Sequence, residues 1–146
     1  LSFMFQYSVG NDVYNAQRMF STQSRLEMQN NLAEVKDRWT ATNASNLVPS
    51  AKGYVAYDVY SRFIEDGSFL RLKNITLGYT IPERLTRKIF VNKLRIYASA
   101  NNLFLLTKYS GFDPEVNMKS SNLMPSFDFG AYPKSKTFTF GVELNF

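Results

Sequence analysis

The chain has 146 residues, of which 45% are hydrophobic and 16% aromatic, and it contains neither cysteine nor histidine. Without these two residue types, disulfides, thiolate metal sites and the commonest general base are excluded, so we expect neither a cofactor nor catalysis within these residues. The net charge of +5 comes from dispersed basic residues rather than a continuous stripe, which disfavours nucleic-acid binding.

No uninterrupted apolar run exceeds four residues, whereas a transmembrane helix needs about 20. The sequence therefore excludes a helical membrane protein. Abundant Phe and Tyr suit the aromatic girdles of transmembrane β-barrels, although a tyrosine-rich soluble β-sandwich also fits the composition. Because the chain starts at Leu1 without a signal peptide, we expect it to belong to a longer polypeptide.

The first predicted strand covers residues 1–9, where apolar side chains occupy every second position. A long connection, residues 10–67, follows and carries a helix signal. Ser24 and Glu27 form a capping box. An apolar helical face comes after it, made of Met28, Leu32, Val35 and Trp39. We therefore expect a short helix in this connection.

The second and third predicted strands cover residues 69–81 and 94–106 and flank a short turn, residues 82–93. In the third strand, Asn101 and Asn102 interrupt the alternation, because a polar residue would enter the apolar face. A β-bulge that resets the register is expected there. In the turn, Pro82 indicates the start of a short helical segment.

Two groups of carboxylates invite a chemical interpretation. The acids Glu65 and Asp66 stand before a glycine, and we interpret them as a solvated turn rather than a catalytic pair. In the second long connection, residues 107–135, an acidic stretch contains Asp113 and Glu115. It lacks the ligands of a calcium loop, so we expect a turn and no metal there.

The fourth predicted strand, residues 136–146, alternates without exception. Its apolar face consists of Phe138, Phe140, Val142, Leu144 and Phe146. A soluble protein would expose this strand as an aggregation-prone edge, whereas a transmembrane barrel requires an apolar face toward lipid and a polar face toward the lumen. Because barrels have short periplasmic turns and long extracellular loops, we place residues 82–93 in the periplasm and both long connections outside.

The run Asp66-Gly-Ser-Phe-Leu-Arg-Leu-Lys-Asn-Ile-Thr-Leu-Gly-Tyr-Thr-Ile-Pro82 resembles the C-terminal end of the SusC/RagA class of TonB-dependent outer-membrane transporters, found in Bacteroidetes. The resemblance continues, in the family's order, through residues 94–104, 107–117, 130–133 and 137–146, and residues 13–16 and 38–40 also fit. It is weakest over residues 20–35 and 118–127.

This resemblance implies an all-β chain that forms the last four antiparallel strands of a barrel of about 22 strands closed by an N-terminal plug. It implies import of oligosaccharides or peptides across the cell outer membrane, with a SusD-like surface lipoprotein as lid. TonB would act through the absent N-terminal part. The terminal strand ending at Phe146 resembles an assembly signal.

Aromatic and acidic residues of the long connections are candidates for substrate or lid contact, because aromatic faces stack on sugar rings. These are Trp39, Tyr54, Tyr57, Tyr109, Asp113 and Tyr132. The alternative for the aromatic residues is that they form small cores within the loops. An alternative for the whole chain is a self-contained all-β module that binds a small apolar or glycan ligand, although four strands cannot close a barrel.

Overall fold

The computed structural model describes residues 1–22, 30–51, 59–116 and 126–145. The elements are β1 Ser2–Ser8, β2 Asp12–Asn15, α1 Ala16–Thr22, 3-10 turns Ala33–Asp37 and Ser61–Phe63, β3 Ile64–Asp66, β4 Phe69–Ile81, α2 Glu83–Thr86, a 3-10 turn Arg87–Ile89, β5 Lys93–Thr107, β6 Phe127–Asp128 and β7 Thr137–Asn145. No helix among the described residues has the length and apolar character needed to cross a membrane.

The chain divides into two compact units. The sheet unit comprises Leu1–Val9, Ser68–Lys108 and Pro133–Phe146, and the loop unit comprises Gly10–Gly67 and Tyr109–Tyr132. The sheet unit is a four-stranded antiparallel sheet with the order β1-β4-β5-β7, so each long strand pairs with the next one along the chain. The prediction of four antiparallel strands is confirmed. The loop unit contains a smaller sheet with the order β3-β2-β6.

A bulge crosses the sheet where the sequence pattern breaks. On β5, Asn102 and Leu103 together oppose the single residue Lys73 of β4, because Leu72 pairs with Phe104 and Asn74 pairs with Asn101. Asn102 has a φ of 52°, a left-handed conformation that asparagine tolerates better than most residues. The predicted β-bulge at Asn101–Asn102 is therefore confirmed.

The same bulge shifts the pairing of β4 with β1, since Met4 faces Asn74 and the next residue, Phe5, faces Leu72. Directly paired residues share a face of the sheet. Beyond Lys73, the shift therefore brings Leu70 and Leu72 onto the face that carries Ile75 and Leu77. Without it, strict alternation would turn these leucines to the opposite face.

Glycine on two strands makes room for a large neighbour. Gly141 on β7 pairs with Tyr97 on β5, and a Cβ at position 141 would collide with the tip of the Tyr97 ring. Gly78 on β4 lies under the Arg95 side chain. A Cβ added at position 78 would lie 3.1 Å from the guanidinium, which is a tight contact. These long side chains cover the glycine backbone on the polar face of the sheet.

The loop unit is organised around a small core of its own. Val13, Tyr109 and Val116 pack together as buried residues. Nearby, the ring of Tyr14 stacks on Phe127 with centroids 5.4 Å apart and meets Phe63 edge-on. Residues from both long connections therefore meet in one core, which fits the interpretation of loop aromatics as core-forming residues.

A short helix is present in the first long connection, but its position differs from the prediction. Helix α1 begins after Asn15, whose Oδ1 accepts a hydrogen bond from the Arg18 amide at 2.8 Å and so caps the helix. The predicted capping box, Ser24 and Glu27, and Met28 lie outside the described residues.

The rest of the predicted helical face is wrong. Residues 33–37 form a 3-10 turn in which Val35 is buried, while Leu32 and Trp39 are exposed. The chain turns back at this point because the Leu32 amide donates to the Ser21 carbonyl at 2.8 Å. That contact between sequence-distant backbone groups ends the apolar helical face that spacing alone predicts.

We predict that Gly141→Val destabilises the purified protein by about 1–3 kcal/mol, because a branched side chain must displace the Tyr97 ring. Thermal unfolding measures the effect. Thr139→Val is the matched control, since position 139 lies on the same strand and face and already carries a branched side chain. Adding Tyr97→Ala to the valine variant is expected to recover part of the loss, and equal unfolding temperatures for all variants would contradict the proposed crowding.

Candidate functional site

One face of the four-stranded sheet is apolar and exposed from β1 to β7. Its exposed members are Phe3, Phe5, Tyr7, Leu70, Leu77, Tyr79, Ile96, Phe104, Leu106, Phe138, Phe140, Val142 and Leu144. Phe140 shows how exposed these side chains can be, since it is 81% exposed. Exposed apolar surfaces as continuous as this mark contact with a membrane or another protein. We call this surface the apolar face.

The opposite face carries polar side chains that interact with one another. Asn74 donates to Asn101 at 2.8 Å. At the other end of the sheet, Glu143 lies 3.2 Å from the Lys93 ammonium and 3.7 Å from the Arg95 guanidinium. The sheet therefore separates an apolar surface from a hydrogen-bonded one, as alternation along its strands requires.

Four of the candidate residues on the terminal strand, Phe138, Phe140, Val142 and Leu144, share the apolar face, because they pair in turn with Ala100, Ala98, Ile96 and Leu94. Glu143, between them, faces Arg95 on the polar side. Phe146 lies outside the described residues. The assembly role of these residues stays a prediction.

The Glu65 side chain connects several segments of the loop unit through hydrogen bonds. It accepts hydrogen bonds from both the hydroxyl and the amide of Ser110, at 2.8 and 2.9 Å. Asn15 and Arg18 donate to it at 3.2 and 3.1 Å. The Arg18 guanidinium also donates two hydrogen bonds to the Glu34 carboxylate, at 2.8 and 3.1 Å. One carboxylate thus joins β2, α1, β3 and the second long connection.

The protonation behaviour of this cluster follows from its geometry. Burial alone would raise the pKa of Glu65, but hydrogen bonds from Ser110, Arg18 and Asn15 outweigh it, and the pKa lies below its usual value. The Arg18 hydrogen bond likewise lowers the pKa of Glu34. Both carboxylates are therefore ionised at neutral pH. The interpretation of Glu65 as part of a solvated turn is wrong, because its side chain is only 13% exposed and lies on strand β3.

Tyr109 and Asp113 are buried, and their polar groups serve the fold of the loop unit. The Tyr109 hydroxyl donates to Asp128 at 2.6 Å, and burial followed by this carboxylate raises the pKa of Tyr109. Asp113 accepts from the Glu115 amide at 2.9 Å, which closes a tight turn. Among the described residues, no group of three or more acidic side chains is arranged to hold a metal ion.

An open cavity of about 500 Å³ lies beside the Glu65 cluster, within the loop unit. Its wall is formed by Asn15, Gln17, Arg18, Ser21, Leu32, Glu34, Ser110, Gly111, Phe112 and Asp128. Phe112 contributes an aromatic ring that is 67% exposed. The cavity therefore combines an aromatic surface with amide, hydroxyl and charged groups, a composition suited to a polar organic ligand.

Among the described residues, none of the loop candidates from the sequence lines this cavity. Tyr109 and Asp113 are not among its wall residues, and Trp39 and Tyr132 are exposed elsewhere on the loop unit, Tyr132 at 92%. Tyr54 and Tyr57 lie outside the described residues. Sequence reasoning missed Asn15, Arg18 and Phe112; the only available signal was the capping preference of asparagine before Ala16.

Comparison with known proteins places this chain among bacterial receptors. It is 34% identical over its full length to TonB-dependent receptor P3 of Formosa agariphila and 32% identical to TonB-dependent receptor P26 of the same organism. Over 58% of its length it is 38% identical to TonB-dependent receptor SusC of Bacteroides thetaiotaomicron. The chain spans about 15% of the length of the first two relatives. No family model matches the sequence.

A solved structure agrees with these relatives. The RagAB peptide importer in its open-open state superposes with a TM-score of 0.84 and 32% identity, covering 99% of this chain and 15% of the importer chain. The closed-closed state of the same importer gives a TM-score of 0.81 at 30% identity. This chain therefore matches one part of a much longer importer chain.

We predict that Glu65→Gln loosens the second long connection, because it removes the charge that binds Arg18 and strengthens the Ser110 hydrogen bonds. Amide hydrogen exchange over residues 108–116 is expected to accelerate about tenfold, equivalent to about 1.4 kcal/mol. Asp37→Asn, which removes an exposed carboxylate from the same unit, should leave exchange unchanged. Unaltered exchange in Glu65→Gln would show that this carboxylate does not hold the connection.

Proposed function

Because this chain belongs to the SusC/RagA class of TonB-dependent receptors, we propose that the whole protein imports nutrients across an outer membrane. In this proposal the sheet unit is part of the barrel wall and the loop unit is part of the substrate entrance. The observation that carries it is the apolar face, which extends over four strands and exposes large apolar side chains on each of them.

The lengths and faces of the strands support the barrel wall. β4 and β5 have 13 and 15 residues, and a tilted transmembrane strand needs about 9–11. Lipid would cover the apolar face, while the polar face with its Asn74–Asn101 hydrogen bond and Glu143 ion pairs would line the lumen. Glu143 is then tolerated, because its charge lies away from lipid.

The edge strands of the sheet support the proposal that the sheet continues into a larger barrel. Within the described residues, β1 and β7 are the outer strands of the sheet and each has one neighbour. Unpaired edges expose backbone donors and acceptors, which barrels avoid by closing on further strands. We therefore place these strands in a barrel of about 22 strands, as in large plugged outer-membrane transporters. This arrangement is favoured over a self-contained binding module.

The loop unit gives the proposed entrance its chemistry. Residues 10–67 and 107–135 would lie on the cell surface, and the turn at residues 82–93 would lie in the periplasm. The cavity beside Glu65 is large enough for about one sugar ring or a short peptide segment. Phe112 would stack on the ligand, while Asn15 and Ser110 border it with polar groups.

The partner proteins that we propose follow from membership of the SusC/RagA class. RagAB is described as a peptide importer, and by analogy we propose a SusD-like surface lipoprotein as partner of this chain. The exposed rings of Trp39 and Tyr132 are candidates for its contact surface, together with Tyr54 and Tyr57. TonB would act through a plug in another part of the same polypeptide. Oligosaccharides and peptides are both proposed as substrate classes.

We predict that Phe140→Asp in the full-length receptor lowers the amount of folded protein in outer-membrane fractions more than about tenfold, because lipid would surround the carboxylate. Thr139→Asp is the matched control on the neighbouring, lumen-facing position and should assemble much better. Fractionation followed by immunoblotting measures both. Equal loss in the two variants would reject the assignment of the faces.

We also predict that Phe112→Ala weakens substrate uptake about tenfold, since loss of one stacking ring costs roughly 1–1.5 kcal/mol. Leu47→Ala, an exposed apolar truncation in the same unit but outside the cavity wall, is the control. Uptake of labelled peptides and oligosaccharides by cells carrying equal amounts of receptor measures the effect. If both variants import at the wild-type rate, the cavity is not the entrance site.

A further inference from the structure

The turn between β4 and β5 presents an aromatic ring in an unfavourable backbone conformation. Phe90 has φ 60° and ψ 28°, the left-handed region, and its side chain is 90% exposed. A residue with a Cβ pays about 1–2 kcal/mol for this conformation, which glycine or asparagine adopts more easily. A turn that needed only to reverse the chain would not require phenylalanine here.

The rest of the turn is well packed and fixes Phe90 in place. Thr86 and Val91 are buried, and the Val91 amide donates to the Thr86 carbonyl at 3.2 Å. The next residue, Asn92, donates its amide to the carbonyl of Asn145 on β7 at 2.8 Å. Because both flanks are anchored, the exposed ring is held outward by the fold. Persistent strain of this kind points to a contact outside the sheet unit.

The same turn carries cations without counter-ions. Glu83 and Arg87 pair with each other at 2.8 Å. Arg84 and Lys88 are exposed and have no ion-pair or hydrogen-bond partner among the described residues. Leu85, 59% exposed, lies between them in sequence. The surface of the turn therefore combines two available positive charges with two exposed apolar side chains.

The turn also continues directly from the apolar face. β4 ends at Ile81 and β5 begins at Lys93, and Ile81 pairs with Leu94 at the end of the sheet. If lipid covers the apolar face, this end of the sheet reaches the boundary between acyl chains and headgroups. Basic side chains at that boundary extend their charged ends to phosphate while their stems stay in apolar surroundings.

We propose that residues 82–92 bind an anionic phospholipid of the periplasmic leaflet. Arg84 and Lys88 contact the headgroup phosphate, and Phe90 and Leu85 enter the adjoining acyl region. Arginine suits this role because its planar fork matches phosphate oxygens, and lysine adds a point charge. The inference rests on the proposed function, since it requires that the apolar face lies in a bilayer.

The test uses the full-length receptor in mild detergent, titrated with phosphatidylglycerol and followed by native mass spectrometry. Arg84→Gln/Lys88→Gln should weaken phosphatidylglycerol binding about thirtyfold, equivalent to about 2 kcal/mol at about 1 kcal/mol for each basic residue. Lys36→Gln/Arg38→Gln removes two exposed charges from the loop unit and should leave binding unchanged. Phosphatidylcholine, which has no net charge, should bind the wild-type receptor weakly.

Phe90→Asn separates lipid contact from a role in folding. Asparagine accepts the left-handed conformation, so the variant should unfold at the same or a higher temperature in detergent, yet retain less phosphatidylglycerol. A lower unfolding temperature with unchanged lipid binding would overturn the proposal and make Phe90 a structural residue.

Other outcomes distinguish this proposal from the proposed function. If the double variant loses lipopolysaccharide rather than phosphatidylglycerol, the turn lies at the outer leaflet and the proposal fails, while membrane insertion stands. Equal phosphatidylglycerol binding by the double variant and the wild type would also overturn it, without affecting import. If the wild-type receptor is absent from outer membranes altogether, the proposed function fails first.

Discussion

The architecture of this chain depends on one geometric constraint, the strict alternation of side chains along paired strands. Every paired position on β1, β4, β5 and β7 must agree on which face is apolar, or a charged or polar group enters the wrong surface. The bulge at Lys73 and Asn102–Leu103 keeps this agreement where the pattern of a single strand breaks. Because it affects β1 and β5 through the same residue of β4, Leu70 and Leu72 lie on the apolar face beyond it.

The loop unit is held by a different kind of interaction. Glu65 is a largely buried carboxylate whose charge is compensated by Arg18 and by hydrogen bonds from Ser110 and Asn15. A buried charge is costly unless it is fully paired. Only segments that bring a positive charge or a hydrogen-bond donor can therefore pack against Glu65. The result is a cavity with aromatic, apolar and polar walls in a unit whose described elements are short.

Local patterns predicted the wall more reliably than the loops. The residues of β7 and of the second half of β4 alternate so regularly that their faces could be assigned from the sequence, and the interruption at Asn101–Asn102 correctly indicated a bulge. The helix predicted from Ser24 was misplaced in its described part, because spacing of Leu32, Val35 and Trp39 could not reveal that the Leu32 amide bonds to Ser21. Glu65 was wrongly interpreted as part of a solvated turn, because its partners Asn15, Arg18 and Ser110 are distant in sequence.

By itself, the sequence determined the four strands, the apolar and polar sides of β7 and of the second half of β4, and the class of receptor, because alternation and the residues 66–82 are local features. Only the tertiary structure decided that Lys73 faces two residues of β5, that Asn15 starts the helix, and that a cavity forms beside Glu65. These features rest on contacts such as Asn15 with Ser110 and Glu65 with Ser110, which join residues 95 and 45 positions apart. Side chains so far apart in the chain meet only after the loops pack, so no local pattern encodes their pairing.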